Sequence, residues 1–332
     1  MIGHNRRVMK RVLVIANNPN QASFRLRIEA LVQPLSARGV ALEVQFRPRA
    51  RAARRKLLAS AAGYDATILQ RKLLDPPDAR LLAQSAKRVL FDVDDAVMYD
   101  HPGAGWLARR RAWRRFLATA RNVDHVVAGN EHLAQMFRRH GASASVLPTV
   151  VDVDRYPVKA HGPAPTVTLA WIGSQSTLPY LAQIMPALSK AGRMRLLVVA
   201  DATLPSVAGV EVELVPWSIQ AESTALARAD IGIAPTPLDR WTAGKCGFKI
   251  VQYMAAGLPT IASPVGANSE LVVENETGLL PRRAEDWPAA VAKLAQDADL
   301  RARMGAAARA RAVNEYSLQR AVDFWDRLLH ES

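Results

Sequence analysis

The chain has 332 residues, 49% of them hydrophobic, and a formal net charge of +14. That length is more than one ordinary α/β core needs and predicts two domains, each able to bury a sizeable interior. A single cysteine, Cys246, excludes an internal disulfide framework, and no apolar run reaches the roughly eighteen residues of a membrane span.

The charge is uneven. Residues 1–160 hold 28 Lys and Arg against 13 Asp and Glu, while residues 161–332 hold 16 against 17. A basic first half suits an anionic partner, such as membrane lipid or an acidic glycan, unless it is only a solvated Arg-rich surface. Nucleic acid is not expected, since no recognition motif accompanies the charge. The N-terminus, MIGHNRRVMKR, is charged and lacks the apolar run of a signal peptide, so a cytoplasmic protein is expected.

Lys10 to Ala16 (KRVLVIA) reads as a buried strand, followed by a polar loop and a helix from Phe24 to Ser36. Strand, loop and helix make the first step of a doubly wound sheet, whose ligands sit at strand C-terminal ends. Arg25 and Arg27 open that helix. They either meet an acceptor or phosphate, or are merely exposed. Val40 to Phe46 and Tyr64 to Gln70 are further strands, separated by the basic run Arg47 to Lys56. Arg88 to Phe91 is a fourth strand and runs into Asp92-Val93-Asp94-Asp95. Those carboxylates suit a cation or an acceptor hydroxyl, or pair with nearby arginines.

Gly105 to Arg121 predicts a helix with Trp106, Trp113, Leu117 and Ala120 on one stripe. Arg109, Arg111, Arg114 and Arg115 cover much of the rest. Either this helix lies on anionic lipid, or the stripe faces a core and the arginines are solvated. Val123 to Ala128 is a fifth strand, and Asn130 caps the helix after it. Val158 to Pro165 reads as a linker. Thr166 to Ile172 opens a second sheet, and the loop beginning Gly173-Ser174 has the backbone to cradle a phosphate. Arg195 to Ala200, Val210 to Val215 and Ile231 to Ala234 continue that sheet. Trp217, just past the second of these, either stacks on a base or fills the core.

The stretch Gly244 to Gly278 organises the rest. Gly244 and Gly247 allow tight turns, Lys245 and Lys249 stand at the mouth of a helix, and Ile250 to Ala256 make that helix apolar almost all round. Gly257 and Pro259 end it, and Thr260 to Ala262 is a short strand. A helix N-terminus with two lysines suits a phosphate or diphosphate; alternatively it is a buried helix with solvated lysines. Cys246 reads as a small apolar residue beside the turn.

Within this stretch, QYMAAGLPTIASPVG resembles the donor-binding signature of retaining glycosyltransferases of the GT-B fold, family 4. That signature runs Glu, a spacer, a second Glu, then Ala-Met-Ala-x-Gly-x-Pro-Val. Its two glutamates fall here on Gly244 and Gln252. The pieces AGNEHLA and VLPTVVD are also similar to family segments that close the N-terminal domain. The resemblance implies a nucleotide-sugar donor held by Gly173, Ser174, Trp217, Lys245, Lys249, Gln252, Gly266 and Ala267. Lys245 and Lys249 would neutralise the leaving diphosphate, Gln252 would bind ribose without charge, and Gly266 and Ala267 would let the backbone approach the donor. Asp94 falls where many members carry a His and is, with Lys245, the catalytic candidate. Asp95, Arg25 and Arg27 are the acceptor or phosphate candidates. Gly244 cannot touch the donor sugar as a Glu does, which leaves that sugar open. Asp92-Val93-Asp94 is a DxD like that of GT-A enzymes, yet no metal and no cofactor beyond the nucleotide sugar is expected.

The expected architecture is therefore GT-B: α/β, two doubly wound Rossmann-like domains facing across a cleft. Residues 1–160 form the acceptor and membrane side, 161–314 bind the nucleotide sugar, and 315–332 form a helix crossing back to the first domain. The expected activity is sugar transfer to a glycan or lipid-linked acceptor, with retention, in cell-envelope polysaccharide or glycolipid synthesis. The protein would be cytoplasmic or peripheral on the inner face of the membrane. A nucleotide-sugar 2-epimerase of the same fold, or a non-catalytic sugar-nucleotide-binding protein, is the alternative.

Overall fold

The computed structural model describes residues 9–99, 105–201 and 208–331. The chain divides into two units. The first takes the chain up to Thr149, the segment Ala243–Cys246, and the chain from Leu318 onward; the second takes Val150–Thr242 and Gly247–Ser317.

The first unit is built on β1 (Lys10–Ala16), β2 (Val40–Phe46), β3 (Ala66–Gln70), β4 (Val89–Val93), β5 (His125–Ala128) and β6 (Ala144–Val146). They pair in parallel in the order β2-β1-β3-β4-β5-β6. Every residue of β3 and β4 is buried. Strands covered by helices on both faces need near-continuous apolar sequence, which is why their runs lack alternation. The order reverses between β1 and β3, so the loops after these strands diverge and leave a crevice at their C-terminal ends. Helix Leu318–His330 belongs to this unit, with Trp325, Leu328 and Leu329 buried. Its middle is tied by Arg38–Asp323 at 2.7 Å and its C-terminal end by the Lys10 ammonium donating to the Leu329 carbonyl at 2.8 Å.

The second unit holds β7 (Thr168–Ile172), β8 (Met194–Val199), β9 (Val210–Val215), β10 (Ile231–Ala234), β11 (Thr260–Ala262) and β12 (Gly278–Leu279). Its parallel order is β12-β11-β10-β7-β8-β9, with the reversal between β7 and β10. Strands β6 and β12 escape sequence reading because the three residues of β6 are only half-buried and β12 is two residues long.

The stretch expected to be a linker, Val158 to Pro165, is strapped to the second unit. The Lys159 amide donates to the Ala256 carbonyl at 2.9 Å, and Arg301 donates to the Gly162 carbonyl at 2.7 Å. The Lys159 ammonium pairs with Asp230 at 3.2 Å. Pro and Gly marked an irregular segment correctly, but irregular backbone can still be tied down where its hydrogen bonds are met.

Helix Phe248–Ala255 lies at the centre of the second unit, and Ile250, Val251, Tyr253, Met254 and Ala255 are all buried. Gly247 precedes it at φ +60° and Gly257 follows at φ +70°, backbone that L side chains disfavour. Tyr253 places the helix against the sheet. Its hydroxyl accepts from the Ile172 amide at 3.0 Å and donates to the Ile233 carbonyl at 3.1 Å, bridging β7 and β10 where they part. Gly232 makes this possible, since a Cβ there would sit 2.4 Å from the Tyr253 ring.

Candidate functional site

In the second unit, Gly173 and Ser174 follow β7, Trp217 follows β9, Lys249 and Gln252 lie on helix Phe248–Ala255, and Gly266 and Ala267 follow β11. Gly173 follows β7 directly, and a Cβ on it would lie 2.3 Å from the Trp171 indole. Its amide donates to Val199 at 3.2 Å, and the Ser174 amide donates to the Thr177 hydroxyl at 3.2 Å. The loop thus closes partly on itself. Lys249 is the second residue of helix Phe248–Ala255, and its ammonium lies 4.4 Å from the centre of the Trp171 ring. A cation held over an aromatic face beside a helix N-terminus concentrates positive charge at that helix end.

Gln252 is 2% exposed, and its side-chain amide donates to the Tyr156 hydroxyl at 3.1 Å. Burial pushes the Tyr156 hydroxyl up to about 12, so it stays protonated. Gly266 has φ +54° and leads into the turn at Asn268–Leu271. Ala267 is buried beside it. Asn268 donates to Thr236 at 3.2 Å and to the Ser263 carbonyl at 3.1 Å, joining the loops after β10 and β11. A Cβ on Gly247 would meet Leu271 at 2.5 Å, so that turn packs on the helix start. Trp217 is half-buried; its indole N–H donates to Glu222 at 2.7 Å and its amide to Asp201 at 3.0 Å. It rests against the core, so the two expectations for it are not exclusive.

In the first unit, Asp94 and Asp95 follow β4. Arg71 reaches Asp95 at 2.7 Å and Asp94 at 3.7 Å, and also donates to Ser23 at 3.2 Å. One Asp94 carboxylate oxygen is buried without a hydrogen-bond donor. Burial pushes the Asp95 carboxyl above its usual value, against the pull of Lys245 and Arg71. The segment Ala243–Cys246 docks on the same place. The Cys246 thiol donates to the Asp94 carbonyl at 2.9 Å, and Asn130 donates to the Gly244 and Lys245 carbonyls at 3.1 and 3.2 Å. Asn130 also accepts from the Leu133 amide at 2.8 Å, the helix cap its sequence implied. Cys246 is buried and its thiol is pushed up by that burial, consistent with a packing role.

Residues 167–297 match the family model of glycosyl transferases group 1. That segment is a group 1 glycosyltransferase domain. The whole chain shares its fold with solved structures at low identity. It covers 96% of this chain and 98% of a sucrose-phosphate synthase from Thermosynechococcus elongatus, at 15% identity and TM-score 0.74. A glycosyltransferase from Rickettsia africae gives 16% identity and TM-score 0.71 over 97% and 99% of the two chains. HepE of Anabaena, solved with UDP and glucose, gives 14% and 0.69 over 96% and 99%. A sequence comparison with curated proteins finds no match. The fold is GT-B, and the findings together support a glycosyltransferase enzyme.

The two lysines expected at the diphosphate fall in different units: Lys245 in the first, Lys249 in the second. Arg27, expected at the acceptor or phosphate, is instead buried in the first unit. It grips Asp92 at 2.6 and 3.0 Å and donates to the Leu147 carbonyl at 2.9 Å. Burial works to lower its pKa, and the charge and hydrogen bonds of Asp92 overcome this and raise it. Arg25 and Arg27 lie in a π-type stretch, Arg25–Glu29, which turns Arg27 inward and leaves Arg25 half-buried. Arg109, Arg111 and Arg114 are exposed, whereas Arg115 is paired with Asp75 at 2.8 Å. The expected apolar stripe shifts: Phe116, Thr119 and Ala120 are buried, while Trp106 is 68% exposed. Arg71, Asn130, Thr236 and Asn268 were not legible as site residues, because their roles come from partners distant in sequence.

Proposed function

We propose that the enzyme moves a sugar from a nucleotide sugar to a glycan or lipid-linked acceptor, with retention, in cell-envelope polysaccharide or glycolipid synthesis. The observation that carries this is Lys249, held beside the N-terminus of a buried helix at the β7/β10 reversal. Charge that builds on a leaving diphosphate is stabilised there by fixed donors that need no reorganisation. In this reading the Gln252 carbonyl oxygen takes the ribose hydroxyl while its nitrogen stays with Tyr156. The HepE structure with UDP and glucose makes UDP-sugars the first donors to try. Asp94, with an unsatisfied buried oxygen, is proposed to meet the acceptor hydroxyl. No cofactor beyond the donor is invoked.

Among the described residues, no helix is long and apolar enough to cross a membrane. Helix Trp106–Ala120 instead supports peripheral contact with anionic lipid, since Trp106 and Leu107 project beside exposed arginines. The test is to incubate the protein with UDP-, GDP- and ADP-sugars, with and without lipid extract. Nucleotide release that requires the extract, with the donor's anomeric configuration kept in the product by NMR, supports the reading. Conversion of the donor with no acceptor present indicates an epimerase instead.

A further inference from the structure

A second cationic centre lies in the first unit, away from Asp94. Arg47 follows β2 and Lys72 follows β3, so both stand at strand C-terminal ends. Each is half-buried. Among the described residues no ion pair reaches Lys72 or the Arg47 guanidinium, and the Arg47 Nε is buried without an acceptor. The carboxylates that face them are already engaged: Asp78 by Arg54 at 2.6 Å, and Asp75 by Arg115 at 2.8 and 3.2 Å. Arg114 acts on Asp75 as well. Cations therefore outnumber carboxylates in a partly desolvated place, which costs free energy unless an anion enters.

We propose that Arg47 and Lys72, flanked by Arg54 and Arg115, form an anion site that takes a phosphate monoester borne by the acceptor. This rests on the proposed function, which puts the acceptor in the first unit. The Lys72 pKa is lowered by burial and by Arg47 and Arg115, and the Arg47 pKa by burial and by Arg54, so each cation is disfavoured until an anion arrives. The backbone contributes too. Arg71 has φ +60°, and the Lys72 amide closes a turn onto the Gln70 carbonyl at 2.7 Å. That turn sends Arg71 to Asp95, while Lys72 and Arg47 follow the two strands that flank β1, where Phe46 pairs with Ala16 and Leu69 with Ile15. A dianionic phosphate matches the excess of positive charge better than a carboxylate does.

The phosphate comes from a lipid headgroup or from a soluble phosphorylated sugar, and two arms separate these. Inorganic phosphate is titrated into the full chain at low salt with saturating UDP present, and vesicle binding is compared with and without phosphatidic acid. Lys72→Gln and Arg47→Gln are set against Lys56→Gln, an exposed control on helix Arg51–Ala59. The expected result is phosphate binding weakened about tenfold or more in the first two and unchanged in the control. Both should also melt higher than wild type in phosphate-free buffer, because a repulsion is relieved. Weakening in both arms means a soluble phosphate suffices, and weakening on vesicles alone means a lipid carries the group; either supports the site. No phosphate or vesicle binding by wild type, or equal binding by wild type, Lys72→Gln and Arg47→Gln in both arms, overturns it. UDP titrated alone reads the donor site separately, so the two proposals fail independently.

Discussion

Arg71 reaches Asp95 at 2.7 Å from a backbone held at φ +60°. A non-glycine residue there carries about 1 kcal/mol of strain, which surrounding contacts must hold in place. Arg71→Gly should therefore be more stable than Arg71→Ala by about 1 kcal/mol, since both lose the guanidinium and only the first relieves the backbone. Denaturant melts of the two variants check this. Equal stability would show that the turn relaxes without cost.

The same pair sets a pH dependence. Burial raises the Asp95 carboxyl above its usual 3.8, while Lys245 and Arg71 lower it. Between 3.8 and the folded value the native chain holds a proton that the unfolded chain has released. Stability consequently falls as pH rises through that window. Arg71→Gln removes one of the opposing charges and extends the window upward. Its melting temperature should differ little from wild type near about pH 4 and fall increasingly below it toward about pH 7. A constant difference across that range would take Asp95 out of the explanation.

Gly244 stands where the family signature has a glutamate, and the packing leaves little room for a side chain there. A Cβ there would lie 2.4 Å from the Ala96 Cβ, within the segment that Asn130 holds. Gly244→Glu should cost about 1–3 kcal/mol by overpacking, and Ala96→Gly added to it should recover much of the loss. Calorimetric melting of the single and double variants is the check. An undamaged single variant would mean the segment moves aside freely.

Gln252 and Tyr156 form a buried pair at 3.1 Å. Tyr156→Phe should cost about 1–3 kcal/mol because it strands the Gln252 nitrogen, and pairing it with Gln252→Leu should cost less than the sum. UDP affinity separates structure from function. It should fall in Gln252→Leu and hold in Tyr156→Phe, whereas parallel losses would make Gln252 a packing residue only.

Much of this was legible in the sequence. Strands such as Lys10–Ala16 and Val210–Val215, and the burial of helix Phe248–Ala255, follow from local composition and glycine punctuation. What stayed hidden depends on partners far along the chain. Arg27 looks like an exposed helix-start arginine until Asp92 claims it, 65 residues away. The segment Ala243–Cys246 reads as the mouth of its own helix, yet Gly129 leaves room for Cys246 beside Asp94 and the segment joins the first unit. Periodicity reports which face is apolar and cannot report which distant group meets it.

The most direct measurement is UDP affinity by titration calorimetry for wild type and Lys249→Ala. Loss of one charged contact to the diphosphate is expected to weaken binding by about 10- to 150-fold, with the fold intact by circular dichroism. Equal affinity in the two proteins, or no binding of UDP, GDP or ADP to wild type, would contradict a nucleotide-sugar site at that helix.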